Sequence, residues 1–525
     1  MTMNVTSNGN LYCALRAAFP QDLSSTAVES VDGAGDDRSL FYSWADLDHG
    51  SARIANLLQS LKLPAGSRIA VQVEKSVEAL MLYLATLRAG HIYVPLNTAY
   101  QQAEMEYFIT DAAPAVVVCS PGSFSWVSKA AFTRGTEHVY TLGVDRTGTL
   151  LERAAHFSDG QQPAARSGED LAAILYTSGT TGRSKGAMLS HGNLLTNAAT
   201  LKVYWDWRPG DVLIHALPIF HIHGLFVAVH GALINGSPMI WLPRFEPELA
   251  IDRMLDATVF MGVPTLYVRM LASSRLSSDA TSHMRLFVSG SAPLLPETFR
   301  AWQARTGHTI VERYGMSETV MNISNPCLPD ARHGNQAERR AGTVGFALPG
   351  VGARLRDDAG REVPVGEIGN IEVQGPNVFK GYWQMPEKTA EEFTADGWFR
   401  TGDVGCVDER GYWRIVGRSR DLIISGGYNV YPAEVESFIN DLPGVEESAV
   451  VGVPHPDFGE VGVAVVVARP GVLLDPEAVI AALKQRVANF KVPKRCFVVD
   501  ALPRNAMGKV QKNLLRAQHE KLFQS

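Results

Sequence analysis

LAAILY at residues 171–176, followed by TSGTTGRSKG at residues 177–186, is the stretch that decides the fold of this 525-residue chain. The first part is short and apolar, as buried strands of parallel sheets are. The second part combines glycines, hydroxyl residues and two cations, Arg183 and Lys185. Glycines let backbone N–H groups turn towards one centre, and hydroxyls and cations attract an anion. We interpret this loop as a phosphate-binding site that precedes a helix beginning near Ser190. The P-loop pattern GxxxxGK[ST] is absent from the chain, which disfavours a P-loop ATPase.

Strand and helix signals alternate on both sides of this loop. RIAVQV (68–73) predicts a buried strand, Ser76 predicts a helix cap, and VEALMLYLATLR (77–88) has helical spacing of apolar residues. The pattern predicts an α/β fold whose large N-terminal domain has mainly parallel sheets with helices and whose active site lies at the carboxyl ends of strands. Further strands are predicted at 115–120, 171–176, 238–243, 258–264, 285–290 and 309–315.

The pattern of predicted secondary structure changes twice after these strands. From about Asp357 the strands are short and rich in glycine, which predicts a small, more antiparallel β subregion. After Arg418 a compact α+β domain of about 100 residues is expected, a common domain size. We therefore expect a large domain over residues 1–418 and a small, mobile domain over residues 419–525, with the hinge near Arg420.

Composition bounds the class of protein. The chain is 46% hydrophobic and 19% charged, as in a globular protein with a large core. The net charge of −6 argues against a nucleic-acid partner. The five cysteines are scattered, which predicts a reducing compartment and no structural zinc. The N-terminus lacks signal-peptide features, and the apolar window 212–229, with three histidines, predicts a buried strand–turn–helix rather than a membrane span. We expect a cytoplasmic protein.

The glycine-rich loop resembles the signature of the acyl-adenylate-forming superfamily, which contains acyl-CoA synthetases, adenylation domains and luciferases. Five further motifs resemble that family in the same order, so the resemblance covers nearly the whole chain. The finer resemblance is to malonyl-CoA synthetases, and it rests on stretches such as LIHALPIFHIHGLFVA (213–228) and GPNVFKGYWQMPEKT (375–389). The five motifs are GSAPL (290–294), ERYGMSET (312–319), GWFRTGD (397–403), GRSRDLIISGGYNVYPAEVE (417–436) and PRNAMGKVQK (503–512).

The resemblance implies an ATP-dependent acid–thiol ligase that uses ATP, Mg²⁺ and CoA. Malonate is adenylated with release of pyrophosphate, and the acyl group then passes to CoA. Three alternatives stay open: methylmalonate, another short or medium-chain acid, and an adenylation enzyme that loads a carrier protein. A non-enzymatic nucleotide-binding protein is disfavoured because Lys509, Glu318 and Asp403 are all present.

The resemblance also implies roles for individual residues. Lys509 is the adenylation lysine and a target of a lysine acetyltransferase and deacetylase, Glu318 anchors Mg²⁺, and Arg420 is the hinge. Thr177, Ser317 and Glu318 join Lys509 as catalytic residues, Ser317 standing where the family usually has threonine. Gly426 and Gly427 contact CoA. The implied ATP-binding set is Thr177, Ser178, Gly179, Thr180, Thr181, Gly182, Lys185, Gly290, Ser291, Ala292, Glu312, Arg313, Tyr314, Gly315, Ser317, Asp403, Arg418 and Lys509.

Three residues are expected to contact the acid. By resemblance, His221 is the gate between the acyl pocket and the CoA tunnel, and Met316 lines the pocket, whereas His223 and His230 are packing residues. From the residues alone, Arg285 is our candidate for the second carboxylate of a dicarboxylic acid, because a guanidinium binds a carboxylate with two hydrogen bonds. A solvent-exposed arginine at a strand end is the alternative for Arg285.

Overall fold

The chain folds around two large, mostly parallel sheets and two smaller ones, in a computed structural model that describes residues 8–31, 39–177, 184–426, 428–505 and 508–523. The strands are β1 (Thr26–Ser30), β2 (Leu40–Ser43), β3 (Arg68–Gln72), β4 (Ile92–Pro95), β5 (Val116–Cys119), β6 (His138–Thr141), β7 (Leu171–Thr177), β8 (Lys185–Ser190), β9 (Leu213–His215), β10 (Met239–Trp241), β11 (Val259–Gly262), β12 (Leu286–Ser289), β13 (Ile310–Tyr314), β14 (Ile323–Ser324), β15 (Phe346–Ala347), β16 (Gly352–Arg356), β17 (Gly369–Gln374), β18 (Phe399–Val407), β19 (Trp413–Arg418), β20 (Ile423–Ser425), β21 (Tyr428–Val430), β22 (Val445–His455), β23 (Gly459–Ala468) and β24 (Arg495–Val499).

The α-helices surround these sheets and connect their strands. They are α1 (Leu11–Ala17), α2 (Trp44–Ser60), α3 (Val77–Arg88), α4 (Gln102–Ala112), α5 (Phe124–Thr133), α6 (Thr149–Ala154), α7 (His191–Tyr204), α8 (His230–Asn235), α9 (Pro247–Asp252), α10 (Pro264–Leu271), α11 (Pro296–Thr306), α12 (Pro386–Glu392), α13 (Pro432–Asn440), α14 (Pro476–Lys484) and α15 (Lys512–His519).

The first large sheet has the strand order β6-β5-β3-β4-β7-β8 among the described residues. Its strands run parallel except for β8, which pairs with β7 in the antiparallel sense. Helix α7 begins after Ser190, whose side chain caps it as expected. The strand β8 between the glycine-rich loop and α7 was not predicted, so the loop joins two antiparallel strands instead of a strand and a helix.

The second large sheet has the order β15-β14-β13-β12-β11-β9-β10-β1-β2 in the described part of the chain. From β1 to β13 its adjacent strands are parallel. Every residue of helix α3 is buried, as in a helix that is apolar on all sides and packed within a core. Because β12 and β13 are parallel neighbours, their carboxyl ends lie at the same edge of the sheet. The sequence predicts the active site at this edge.

The apolar window 212–229 forms the buried strand β9 and, at His223–Val229, a π-helix. This agrees with the predicted strand–turn–helix. A search of the described residues found no helix with the length and apolar character that crossing a bilayer requires. The cytoplasmic location stays a prediction.

Two smaller units follow, an antiparallel sheet and a separate α+β unit, as the changes along the sequence predict. Strands β16 to β19 form a four-stranded antiparallel sheet, and β20 to β24 form a separate sheet with its own apolar clusters. A short 3-10 turn, Ser419–Asp421, connects the two sheets and contains Arg420. The α/β fold with a large N-terminal and a small C-terminal domain is confirmed, whereas the boundary at residue 418 and the hinge remain predictions.

Candidate active site

The small domain brings Lys509 into a cleft of the large domain. Lys509 lies in the turn of a hairpin whose ends, Arg504 and Val510, form a β-bridge. The adjacent Gly508 approaches Thr265 of the large domain, since a Cβ on this glycine would lie 3.1 Å from Thr265 Oγ1. Desolvation in the cleft, together with the positive charge of Arg418, lowers the pKa of Lys509 to about 8, although its side chain keeps access to solvent.

A second contact joins the same two parts of the chain. Arg469, which follows β23, forms an ion pair with Glu297 in the first turn of α11. Both side chains are about half exposed. The small domain is therefore held against the large one by a polar contact as well as by the lysine hairpin.

Asp403 and Arg418, predicted as a ribose-binding pair, are brought together by an antiparallel register. They are Cα partners on β18 and β19, and Arg418 Nε lies 3.4 Å from Asp403 Oδ1. The Tyr314 hydroxyl donates a 2.6 Å hydrogen bond to Asp403 Oδ2. The carboxylate of Asp403 is buried, so these two partners hold it at the mouth of the cleft in a fixed position.

Glu318, the predicted metal anchor, is also buried and faces Tyr382. The Tyr382 hydroxyl donates to Glu318 Oε1 at 3.0 Å, and burial raises the pKa of the Glu318 carboxyl. Lys185 Nζ lies 4.3 Å from the centre of the Tyr382 ring and 3.6 Å from Glu392 Oε1. Ser317 and Met316 lie between Tyr314 and Glu318 and are partly exposed.

The described residues contain no cluster of three or more metal-ligating side chains. A Mg²⁺ ion in a nucleotide site commonly takes one or two carboxylates and completes its shell with phosphate oxygens and water. The single buried carboxylate of Glu318 fits that mode of binding.

The glycine-rich loop starts and ends at paired positions. Thr177 and Lys185 are Cα partners at the loop end of the β7–β8 hairpin. Gly186 accepts a 2.7 Å backbone hydrogen bond from Trp383, which fixes the hairpin to the segment that carries Tyr382. The other predicted ATP-binding positions of this loop lie outside the described residues, namely Ser178, Gly179, Thr180, Thr181 and Gly182.

Strand β13 carries three of the predicted ATP-binding residues. Side chains alternate along a strand, so Glu312 and Tyr314 share one face and Arg313 lies on the other. Glu312 Oε1 accepts a 2.9 Å hydrogen bond from Leu294 N, and burial raises the pKa of Glu312 to about 8. Gly290, Ser291 and Ala292 follow β12 at the same edge, and Ser291 has a φ of 70°. Gly315 follows Tyr314 in a tight turn, because a Cβ there would lie 2.0 Å from Val320 O.

Arg313 lies against Gly290, a neighbour in the predicted ATP-binding set. Its guanidinium fills the space above Gly290, where a Cβ would be only 2.3 Å from Arg313 Cζ. Its positive charge lowers the pKa of both His221 and His223, whose burial has the larger effect. The contact of Arg313 with ATP stays a prediction.

Arg285, our candidate for the second carboxylate, does not reach the site. It precedes β12, and its Nε donates to Asp211 Oδ1 at 2.7 Å while its Nη2 pairs with Oδ2. Asp211 precedes β9, so the pair lies at the amino ends of these parallel strands, whereas the site lies at their carboxyl ends. The prediction for Arg285 is wrong, because its charge is already neutralised at the opposite edge of the sheet.

The three histidines of the π-helix region have different surroundings. His221 is partly exposed, and its pKa is lowered to about 3 by desolvation and, to a smaller extent, by the charges of Arg313 and Lys509. His230 is buried, and its Nε2 shares a 2.7 Å hydrogen bond with the Tyr83 hydroxyl, which agrees with a packing role. His223 faces Ser291 Oγ at 3.3 Å and also borders the acid side, which the packing interpretation did not anticipate.

The remaining predicted residues concern CoA. Gly426 has a φ of 59° and donates a 2.8 Å backbone hydrogen bond to Phe458 O, while Gly427 lies outside the described residues. Sequence reasoning missed Tyr382, although it lies in the quoted stretch 375–389.

Comparisons with known proteins identify the family. The family model of AMP-binding enzymes matches residues 21–383, and that of the AMP-binding enzyme C-terminal domain matches residues 434–509. The chain belongs to the AMP-binding enzyme family. A feruloyl-CoA synthase from Amycolatopsis sp is 36% identical over 90% of this chain and 93% of its own.

Two further relatives are similar along nearly the whole chain. A malonate–CoA ligase from Arabidopsis thaliana is 32% identical, covering 97% of this chain and 89% of its own. The crystal structure of ATP-bound MatB from Rhodopseudomonas palustris is 53% identical and superposes with a TM-score of 0.93, covering 98% of this chain and 100% of that one. This AMP-binding enzyme therefore has the two-domain fold of MatB.

Proposed function

We propose that this AMP-binding enzyme is an ATP-dependent, AMP-forming CoA ligase that acts on malonate. In the first half-reaction a malonate oxygen attacks the α-phosphorus of ATP, which gives malonyl-AMP and pyrophosphate. In the second, the CoA thiol attacks the acyl carbon, which gives malonyl-CoA and AMP.

The observation that carries this proposal is the position of Lys509. Adenylation brings a carboxylate onto a polyanion, so the reaction needs cations that hold both reactants in line. We place the Lys509 ammonium near both the nucleotide and the acid, because the charge of Arg418 lowers its pKa and its own charge lowers the pKa of His221, in each case after the larger effect of burial. Its ammonium can therefore contact the attacking carboxylate and an α-phosphate oxygen together.

The nucleotide is held from two directions. Asp403, fixed by Tyr314 and Arg418, can accept hydrogen bonds from the two ribose hydroxyls. The Thr177–Lys185 hairpin presents the glycine-rich loop to the phosphates. Glu318, oriented by Tyr382, would hold a Mg²⁺ ion whose charge neutralises the phosphate oxygens.

The second half-reaction would need a different arrangement, in which Lys509 leaves the site of the adenylate. Rotation of the small domain about Arg420 would remove Lys509 and bring Gly426 and Gly427 to line the path of the CoA thiol. The same lysine is the position at which an acetyltransferase and a deacetylase would control the enzyme, since acetylation removes its charge.

The malonate–CoA ligase relative supports malonate as the acid, whereas the feruloyl-CoA synthase shows that the same family also activates bulky aromatic acids. A pyrophosphate-release assay with malonate, methylmalonate, butyrate and ferulate, with and without CoA, tests the proposal. Malonate should give the highest kcat/KM, with malonyl-AMP detected by mass spectrometry without CoA. Formation of ADP and phosphate, or no pyrophosphate with any acid, would refute it.

A further inference from the structure

Lys185 lies at the start of β8, where the glycine-rich loop ends, and two contacts hold its side chain. Its Nζ lies 4.3 Å from the centre of the Tyr382 ring and 3.6 Å from Glu392 Oε1 on α12. The lysine side chain is only 9% exposed, so solvent screens these contacts weakly. The distance to Glu392 exceeds that of a hydrogen bond, so the carboxylate attracts the ammonium and leaves its N–H groups for a ligand.

Tyr382 connects this lysine with the predicted metal anchor. The Tyr382 hydroxyl donates to Glu318 Oε1 at 3.0 Å, while the face of the same ring carries the Lys185 ammonium. One side chain therefore positions both the cation of the loop and the carboxylate that would hold Mg²⁺. In the proposed function these two groups act on the same ligand, the phosphates of ATP.

The carboxylate of Glu392 is shared between two lysines. Lys388 Nζ lies 3.1 Å from the same Oε1 that faces Lys185. Glu391 also pairs with Lys388, but its side chain is 66% exposed and is therefore largely screened by solvent. Two cations and one partly buried anion leave a net positive charge. Glu392 can thus hold Lys185 without making the cluster repel phosphate.

Helix α12 itself does not favour a carboxylate at this position. Glu392 is the last residue of the helix, where a negative charge opposes the helix dipole. A free lysine side chain loses conformational entropy when a ligand fixes it, and fixing it beforehand removes that cost from binding. The contact between Glu392 and Lys185 therefore favours ligand binding rather than the helix.

We propose that Glu392 is a positioning residue that holds the Lys185 ammonium over the Tyr382 ring, where the ammonium binds the pyrophosphate part of ATP. Lys509 contacts the α-phosphate in the proposed function, so the second cation is assigned to the phosphates that leave. The inference rests on the proposed function, from which it takes ATP as the ligand. Glu392 lies outside the motifs that carry the family resemblance.

The first test measures binding without chemistry. In α,β-methylene-ATP a methylene group replaces the bridging oxygen that adenylation would release, so calorimetry with Mg²⁺ gives a true Kd. Glu392→Gln should raise this Kd about three- to tenfold, the effect of one side chain that is no longer ordered in advance. The Kd of AMP, which lacks the two leaving phosphates, should stay unchanged. An unchanged or lower Kd for the analogue, or an equal rise for AMP, would overturn the inference.

The second test determines whether Glu392 acts through Lys185. A double-mutant cycle compares Glu392→Gln in wild type with the same change in Lys185→Met. In the Lys185→Met background the Kd for the analogue should rise no further. Glu392→Asp keeps the charge on a shorter side chain, so its Kd should lie between those of wild type and Glu392→Gln. Equal effects of Glu392→Gln in both backgrounds would show that the residue does not position Lys185.

The matched control is Glu391→Gln, which removes the adjacent carboxylate of the same helix. It breaks an ion pair with Lys388 and leaves the contact of Glu392 with Lys185 intact, so the Kd should equal that of wild type. Thermal melting establishes that each variant is folded, and Glu392→Asp with the AMP comparison decides the question if Lys185→Met is not. If wild type releases pyrophosphate with malonate but Glu392→Gln binds the analogue equally well, the inference is wrong and the proposed function stands. If wild type releases none with any acid, the proposed function itself fails.

Discussion

The hydroxyl of Tyr314 donates a 2.6 Å hydrogen bond to Oδ2 of Asp403, which joins strand β13 of the nine-stranded sheet to strand β18 of the four-stranded sheet. Two sheets that are separate in the chain therefore meet at one buried carboxylate. Arg418 approaches the other oxygen of the same carboxylate. The nucleotide site depends on this junction.

We expect Tyr314→Phe to raise KM for ATP by about tenfold or more, because a hydrogen bond to a charged group is worth about 1.5–3 kcal/mol. The kcat should change less, since the tyrosine does not touch the reacting atoms. Steady-state pyrophosphate release at varied ATP measures both constants. Tyr412→Phe is the control, because its hydroxyl bonds Glu338 O away from the site. An unchanged KM for ATP in Tyr314→Phe would contradict the role of the junction.

Lys509→Ala should abolish formation of malonyl-AMP and retain the conversion of synthetic malonyl-AMP and CoA into malonyl-CoA. The reason is that the lysine occupies the cleft only in the arrangement seen here, beside Arg418 and His221. Lys512→Ala is the control, since that lysine pairs with Glu436 inside the small domain. Quenched-flow assays of each half-reaction make the comparison, and equal loss of both would show that the lysine is misassigned. Stoichiometric acetylation at Lys509 should reproduce the variant.

The adenylation half-reaction should lose activity as pH rises above about 8. Desolvation lowers the pKa of Lys509 to about 8, so its charged form is present below that pH and is lost above it. The kcat/KM for pyrophosphate release reports ionisations of the free enzyme and should show this fall. In Lys509→Arg the fall should disappear, because arginine keeps its charge. A profile that is the same in both proteins would assign the ionisation elsewhere.

Glu318→Gln should weaken the dependence of adenylation on Mg²⁺, so that more metal is needed for half-maximal rate. A neutral amide is a poorer ligand for a hard cation than a carboxylate. Tyr382→Phe should have a smaller effect in the same direction, because it removes only the hydrogen bond that orients Glu318. Mg²⁺ titrations at fixed ATP give both results, with the exposed Glu387→Gln as control. Identical titrations in Glu318→Gln and wild type would exclude the metal role.

Arg285→Met should lower stability without changing substrate choice. Burial raises the pKa of Asp211, but its hydrogen bonds with Arg285, Arg208 and Thr258 lower it by more, so the pair stabilises the fold above the unfolded pKa of about 4. Removing the arginine should cost about 2–4 kcal/mol at pH 7, somewhat less than a fully buried pair because Arg285 is partly exposed. The difference from wild type should shrink as pH falls through the lowered pKa of Asp211 in the folded state, where this carboxyl becomes protonated. Urea unfolding at several pH values tests this, and a constant difference would contradict it.

The sequence predicted about half of the strands of the two large sheets, among them β10 to β13, because each of these is a short apolar run between turn residues. It also predicted the approach of Asp403 to Arg418 and of Lys509 to the cleft, since the family motifs carry those residues. Strand β8 was missed because KGAMLS is short and begins with a charge beside the glycine-rich loop.

The prediction for Arg285 failed for a physical reason that can be inferred only partly from the sequence. Arg285 precedes its strand and therefore lies at the amino end, away from the carboxyl edge where such sheets bind ligands. Its partner Asp211 is distant in sequence, and only the register of β9, β11 and β12 brings the two together. In contrast, Arg313 adjoins Tyr314, and strand alternation alone places them on opposite faces.

The ion pair between Arg469 and Glu297 has a consequence for the exchange of domains. Both groups are about half exposed, so dissolved ions screen their attraction, with a Debye length of about 8 Å at physiological ionic strength. Added salt therefore favours release of the small domain over its closed position. The fractions of enzyme in the adenylate-forming and in the thioester-forming arrangement should therefore shift with ionic strength. This shift needs no change to any residue of the reaction centre.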